Sequence, residues 1–163
     1  GLHCLVITSR THLGGPAAPP GRYTYGRDEW EELDGAVSYA RARGAADVVL
    51  VGYSMGGGIT LAFMANSTQA AAVSALILDA PMTHLGQTVA HGARLVGLPL
   101  RLLALSNRLA ARRYGFRWAD FDHLRTVSGL QVPVLLFHGD DDRNVPFSET
   151  VTLAAFVRPV FTR

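Results

Sequence analysis

The sequence predicts an α/β fold in which a parallel sheet of about four strands carries helices on both faces. The prediction rests on the alternation of two kinds of segment and on one clear strand–turn–helix stretch. Short apolar segments rich in β-branched residues alternate along the chain with longer segments of helical periodicity. The sharpest example is residues 47–60, D-V-V-L-V-G-Y-S-M-G-G-G-I-T, where strand, tight turn and helix follow one another. Strands joined by right-handed crossovers end at one edge of the sheet, so candidate site residues are expected directly after the strands.

The predicted elements can be placed in order along the chain. An apolar run at residues 2–8 predicts a buried first strand, and its single cysteine, Cys4, is expected to be buried with it. Asp28 and Glu31 have the spacing of a helix capping box. The remaining strands are predicted at residues 48–52, 74–79 and 133–138, and helices at 28–43, 55–66, 82–113 with a break at 97–99, 118–124 and 146–157.

Composition favours one globular domain spanning residues 1–163. The chain is 48% hydrophobic and 17% charged, with a net charge of +2. The arginines are too scattered for a nucleic-acid interface. No apolar run reaches the roughly 18 residues that a membrane-spanning helix needs. A single cysteine cannot form an internal disulfide, and we expect a cytoplasmic protein.

The turn at residues 52–56 has the spacing G-x-S-x-G, which after a strand and before a helix is typical of a nucleophile elbow. Ser54 would stand at the apex in a strained backbone conformation, and Gly52 and Gly56 are expected to be needed because side chains there would collide. The N–H of Met55 begins the helix and is a candidate oxyanion donor. The alternative, a phosphate-binding turn, lacks the P-loop lysine.

A second motif, H-G-D-D-D-R-N-V-P, follows the fourth predicted strand at residues 138–146. A serine hydroxyl needs an imidazole base, and the imidazole needs a carboxylate that fixes its tautomer. An acid in this loop fits the carboxylate role. No paired His, Cys or acidic spacing indicates a metal site, and no G-x-G-x-x-G follows a strand, so neither metal nor cofactor is expected.

The elbow, the L-D-A-P strand end at residues 78–81 and the H-G-x-x-D-x-x-V-P run together resemble the α/β-hydrolase superfamily, most closely its serine-aminopeptidase-like or esterase-like branch. The resemblance covers nearly the whole chain and implies Ser54 as nucleophile and Asp142 as acid. Asp79 is the alternative acid, because some members place theirs after that earlier strand. From its apolar, interrupted helical pattern, the segment at residues 82–125 is either ordinary crossover helix or a lid-like insertion over the site. Its candidate acyl-facing residues are Leu95, Leu98, Leu100, Leu102, Leu103 and Leu105.

The chain departs from the superfamily pattern in its histidines. The resemblance implies a catalytic histidine after the acid, yet all six histidines, at positions 3, 12, 84, 91, 123 and 138, precede Asp142. The superfamily also has more strands, and an oxyanion loop ahead of residue 2. We therefore expect an internal piece of a longer hydrolase. His84 and His12, each following a predicted strand, are the candidate substitute bases.

The sequence therefore predicts a serine hydrolase that acts on ester, amide or related acyl bonds of a small-molecule substrate through an acyl-enzyme on Ser54. Without a histidine after Asp142, this chain is expected to be inactive. Two alternatives stay open: an acyltransferase that uses the same elbow, and a non-catalytic α/β domain that binds a ligand. The sequence does not indicate an oligomeric state.

Overall fold

A parallel three-stranded sheet lies at the centre of the computed structural model, which describes residues 3–9, 23–127 and 129–157. The strands lie side by side in chain order. Tyr53, Asp79 and Phe137 are paired across the sheet, so the three carboxyl ends are level with one another. The strands are β1 (Val48–Tyr53), β2 (Val73–Asp79) and β3 (Val134–Phe137).

Helices alternate with these strands and confirm the predicted α/β class. The predicted break at residues 97–99 is present, because Gly97 adopts a φ of 69° after one helix and Pro99 caps the next. The helices are α1 (Trp30–Ala42), α2 (Met55–Asn66), α3 (Leu85–Leu95), α4 (Leu100–Tyr114), α5 (Leu124–Val127) and α6 (Phe147–Phe156), with 3-10 turns at Thr68–Ala72 and Trp118–Phe121.

The main core lies on one face of the sheet. Leu50, Leu76 and Val134 from the strands pack with Phe63 of α2 and Leu153 of α6. Side chains of the opposite parity are exposed: Val51 and Tyr53 are 73% and 70% accessible, and Phe137 is 48% accessible. The described helices thus cover one face, whereas the sequence predicts helices on both.

The predicted first strand is wrong in the described part of the chain. Residues 3–9 have no strand structure, and Cys4, which was expected to be buried, is exposed. A strand exists through the ladder it shares with a neighbour, and an apolar run does not identify that neighbour. The described sheet therefore has three strands instead of about four, and β1 is one of its edges.

The predicted capping box of α1 is also wrong. Glu29, not Asp28, occupies the N-cap position, without a capping side-chain bond. The Asp28 carboxylate instead accepts two hydrogen bonds from the Arg27 guanidinium, at 2.8 and 2.9 Å. The helix ends close to the predicted residue 43, because Arg43 is its C-cap and Gly44 follows with a φ of 93°.

Candidate active site

Ser54 lies at the turn between β1 and α2, with φ 50° and ψ −115°. A non-glycine residue in this region is strained and persists only where the surroundings hold it. Two long-range main-chain hydrogen bonds do so here, in addition to the bond at the start of α2 from the Gly57 N–H to the Ser54 carbonyl. The Ser54 N–H donates to the carbonyl of Asp79 at 2.8 Å, and the Ser54 carbonyl accepts from the N–H of Met82 at 3.0 Å. The bend is thus fixed to the segment that follows β2.

The glycines around this turn differ in whether the structure has room for a side chain at their position. A Cβ on Gly52 would lie 2.7 Å from the Gly56 carbonyl oxygen, so the first motif glycine is required, as predicted. A Cβ on Gly56 would meet nothing within 4 Å, so the predicted collision at the second glycine is wrong. Gly57 is the tighter position, because its Cβ would lie 2.5 Å from the Cβ of Pro81.

Asp142 lies in the loop after β3, at the same edge of the sheet as Ser54. Its Oδ1 accepts hydrogen bonds from the N–H groups of Asn144 and Val145, at 2.7 and 3.0 Å. Its Oδ2 lies 3.7 Å from Nε2 of His138. One carboxylate oxygen is therefore used to shape the loop, whereas the other makes no bond shorter than that contact among the described residues.

His138 supports this loop through both ring nitrogens. Nε2 donates to the Val145 carbonyl at 3.0 Å, and Nδ1 accepts from the Thr150 hydroxyl at 2.6 Å, since a neutral imidazole has one donor and one acceptor. The side chain is almost completely buried. His138 is thus a structural residue that holds the loop after β3, which contains Asp142, against α6.

The other predicted site residues are placed as follows. Asp79, the alternative acid, ends β2 with an exposed side chain. Met55 is the first residue of α2, where N–H groups lack intrahelical acceptors. His84 caps α3, because its Nδ1 accepts from the Gln87 N–H at 3.2 Å. His12 lies outside the described residues.

An open depression of about 680 Å³ lies at the carboxyl edge of the sheet, beside the elbow. Acidic side chains from β2 and from the loop after β3 meet in it, so both candidate acids lie at the same surface as the serine turn. It is lined by Tyr53, Asp79, Ala80, Gly139, Asp140, Asp141, Asp142, Arg143 and Asn144.

Glu149 is a buried carboxylate, 1% exposed, that was not among the residues predicted from the sequence. Its Oε2 accepts from the N–H and hydroxyl of Thr83, at 2.6 and 3.0 Å, and from the N–H of His84 at 2.9 Å. Its Oε1 accepts from the Thr88 hydroxyl at 2.7 Å. We call this the Glu149 clamp. It fixes the segment whose Met82 N–H holds the Ser54 carbonyl.

A buried histidine, His123, packs beside the Glu149 clamp. Its Nε2 donates to the Tyr25 carbonyl at 2.8 Å, and its main-chain N–H donates to Thr83. Burial lowers the pKa of His123, against the opposing effects of the Tyr25 carbonyl and of three carboxylates. Those carboxylates belong to Asp122, Glu149 and Glu29.

We expect the lowered pKa of His123 to make the protein less stable in mild acid. An unfolded histidine titrates near 6.5, so below that pH the unfolded chain binds a proton that the folded chain excludes. The free energy of unfolding should therefore rise with pH from the folded pKa up to about 6.5 and add nothing above it. Urea unfolding at several pH values measures this slope. The slope should shrink in His123→Gln and persist in His3→Gln. Equal slopes in the two variants would show that His123 is not the source of the pH dependence.

No group of three or more His, Cys, Asp or Glu side chains in residues 3–9, 23–127 and 129–157 is arranged to hold a metal ion. Within the same part of the chain, no helix combines the length and the hydropathy required to cross a bilayer.

The structure is thus an α/β protein in which a strained serine turn lies beside a carboxylate loop at the carboxyl edge of a parallel sheet. The chain belongs to the alpha/beta hydrolase family, whose pattern it matches over residues 1–162. This membership confirms the resemblance predicted from the G-x-S-x-G turn, the L-D-A-P strand end and the H-G-x-x-D-x-x-V-P run. No curated protein matches the sequence significantly.

Solved structures show the same fold at low sequence identity. An esterase from Rhodococcus sp. ECU1013 aligns over 93% of this chain, with 20% identity and a TM-score of 0.57. An esterase of Pyrococcus furiosus aligns over 82%, with 19% identity and a TM-score of 0.58. A puromycin hydrolase aligns over 83%, with 17% identity and a TM-score of 0.62. The chain spans 67%, 49% and 20% of those three chains, respectively.

Proposed function

We propose that this chain carries the nucleophile and the acid of a serine hydrolase that cleaves ester, amide or related acyl bonds of small molecules. The observation that carries the proposal is the backbone of Ser54, with its positive φ held by hydrogen bonds to the segment after β2. Strain of this kind concentrates where a side chain must be presented for chemistry. Membership of the alpha/beta hydrolase family supports the reaction class.

Each proposed residue has a separate role. The Ser54 hydroxyl would attack the acyl carbon, and the Met55 N–H at the start of α2 would stabilise the oxyanion. Asp142 would orient an imidazole through Oδ2, since Oδ1 already accepts two loop N–H groups. Water would then release the acyl group from Ser54.

Among the described residues, no histidine ring forms a hydrogen bond with the Ser54 hydroxyl, so none of them is assigned as the catalytic base. The rings of His84, His123 and His138 are each engaged in hydrogen bonds that hold main chain or neighbouring side chains. An imidazole added from solution can therefore stand in for the base, and its effect should depend on the acid that orients it.

An alkyl fluorophosphonate tests the nucleophile. The Ser54 oxygen would bond to phosphorus, with loss of fluoride and transfer of its proton to imidazole. Peptide mapping by mass spectrometry should find the adduct on Ser54, formed faster as imidazole is added, and absent in Ser54→Ala. An adduct on another serine, or none at any imidazole concentration, would overturn the proposed nucleophile.

The same assay tests the acid with a matched pair. Asp142→Asn keeps a side-chain oxygen for the loop N–H groups but removes the charge, so the imidazole-dependent rate should fall by at least about tenfold. Asp140→Asn, an exposed neighbour in the same loop, should leave that rate unchanged. Equal rates in the two variants would exclude Asp142, and a fall in Asp79→Asn instead would assign the role to that residue.

A further inference from the structure

Residues 80–119, which follow β2 and include α3 and α4, have an unusual charge pattern. Residues 80–119 contain six arginines and no aspartate or glutamate, although the whole chain carries a net charge of only +2. Helices α3 and α4 lie within this segment. Four of the arginines, at positions 101, 108, 112 and 113, are exposed on α4. Arg117 is paired with Asp120 at 2.8 Å, but the four arginines of α4 still make this part of the surface basic.

Helix α4 also exposes a row of leucines. Leu102, Leu105 and Leu109 are 54%, 55% and 57% accessible, and their spacing places them along one side of the helix. Leu103, which points elsewhere, is buried and anchors the helix. Exposed apolar side chains continue into the preceding turn and the end of α3: Leu95, Val96, Leu98 and Leu100. We call these seven residues the leucine surface.

Arginines border the leucine row on both sides. At 100° per residue, Arg101, Arg108 and Arg112 lie along one flank of the row, and Arg113 lies on the other. A helix that presents leucines between exposed cations has the composition of helices that lie in the plane of a membrane interface. At 15 residues α4 is too short to cross a bilayer, so a surface position is the geometry that fits.

We propose that the leucine surface docks on a membrane rich in anionic lipid. The leucines would enter the boundary between headgroups and acyl chains, and the bordering arginines would contact lipid phosphates. A second copy of the chain is a less suitable partner than an anionic membrane. If two leucine surfaces faced each other, their bordering arginines would repel one another. The proposal goes beyond the proposed function, since it requires no chemistry at Ser54.

Vesicle co-sedimentation tests the proposal on the full chain. We expect binding to vesicles of phosphatidylcholine with 30% phosphatidylserine, weaker binding in high salt, and little binding to phosphatidylcholine alone. Replacing Leu102, Leu105 and Leu109 together by glutamine should lower the partition coefficient by about tenfold or more. Replacing Arg101, Arg108 and Arg112 by glutamine should have an effect of similar size.

The matched control is Val49→Gln with Val51→Gln, which removes exposed apolar side chains from the bare sheet face. This variant should bind vesicles as the parent does. All substituted positions are exposed, and circular dichroism checks that each variant folds. The proposal is overturned if the parent does not bind anionic vesicles, if the control loses binding equally, or if light scattering shows that the leucine substitutions merely dissociate an oligomer.

Discussion

Replacing Glu149 by alanine is expected to lower the free energy of unfolding by about 4 kcal/mol or more, because the clamp would lose its only acceptor. Four donors, two of them main-chain N–H groups, converge on this buried carboxylate. Each buried donor left without a partner costs about 1–3 kcal/mol, and the deleted side chain leaves a cavity besides. Urea unfolding of the parent and the variant measures the difference.

Two variants separate the clamp from general packing. Glu149→Gln keeps an oxygen for the three donors at Oε2 and should cost only about 1–2 kcal/mol, for the lost charge. Thr88→Val removes the single bond at Oε1 and should cost a similar amount. If Glu149→Ala is no more destabilising than Thr88→Val, the clamp does not support the segment after β2.

Replacing Gly57 by alanine is expected to destabilise the protein by about 3 kcal/mol or to prevent folding. The added Cβ would lie 2.5 Å from Cβ and 2.8 Å from Cα of Pro81. Pro81 cannot easily move away, because its neighbours Ala80 and Met82 donate main-chain hydrogen bonds to Phe137 and Ser54. Overpacking against fixed backbone typically costs about 1–3 kcal/mol.

Gly56→Ala is the matched control one residue earlier in the same helix. Nothing lies within 4 Å of its added Cβ, and alanine is favoured over glycine in a helix by about 0.5–1 kcal/mol. The variant should be as stable as the parent or slightly more stable. Thermal unfolding of the two variants side by side measures both effects, and equal destabilisation by both would show that the helix termini, not Pro81, set the cost.

Sequence reasoning located the serine turn and the acid loop because both are local. The strand, the glycines and the serine lie within residues 47–60, and Asp142 closes its loop on residues 144 and 145. Spacing along a dozen residues is sufficient to describe such features. The same reasoning placed the break between α3 and α4, because Gly97 and Pro99 act on their own backbone.

Contacts between residues far apart in the sequence could not be predicted from local spacing. Glu149 lies 61 to 66 residues from the groups it binds, and its position after V-P-F-S shows nothing of a buried carboxylate. Gly57 lies against Pro81, a contact between distant residues that the local glycine spacing does not indicate. The apolar run at residues 2–8 predicted a strand for which the described structure offers no ladder partner.

The way the elbow is held has a consequence for how the chemistry of this chain can change. The hydrogen bonds that join Ser54 to Asp79, Met82 and Gly57 use its main-chain N–H and carbonyl, and none of them uses the hydroxyl. The bend therefore depends little on which small side chain stands at its tip. A thiol or a carboxylate at position 54 should therefore occupy the same place as the hydroxyl, with no change in the surrounding backbone.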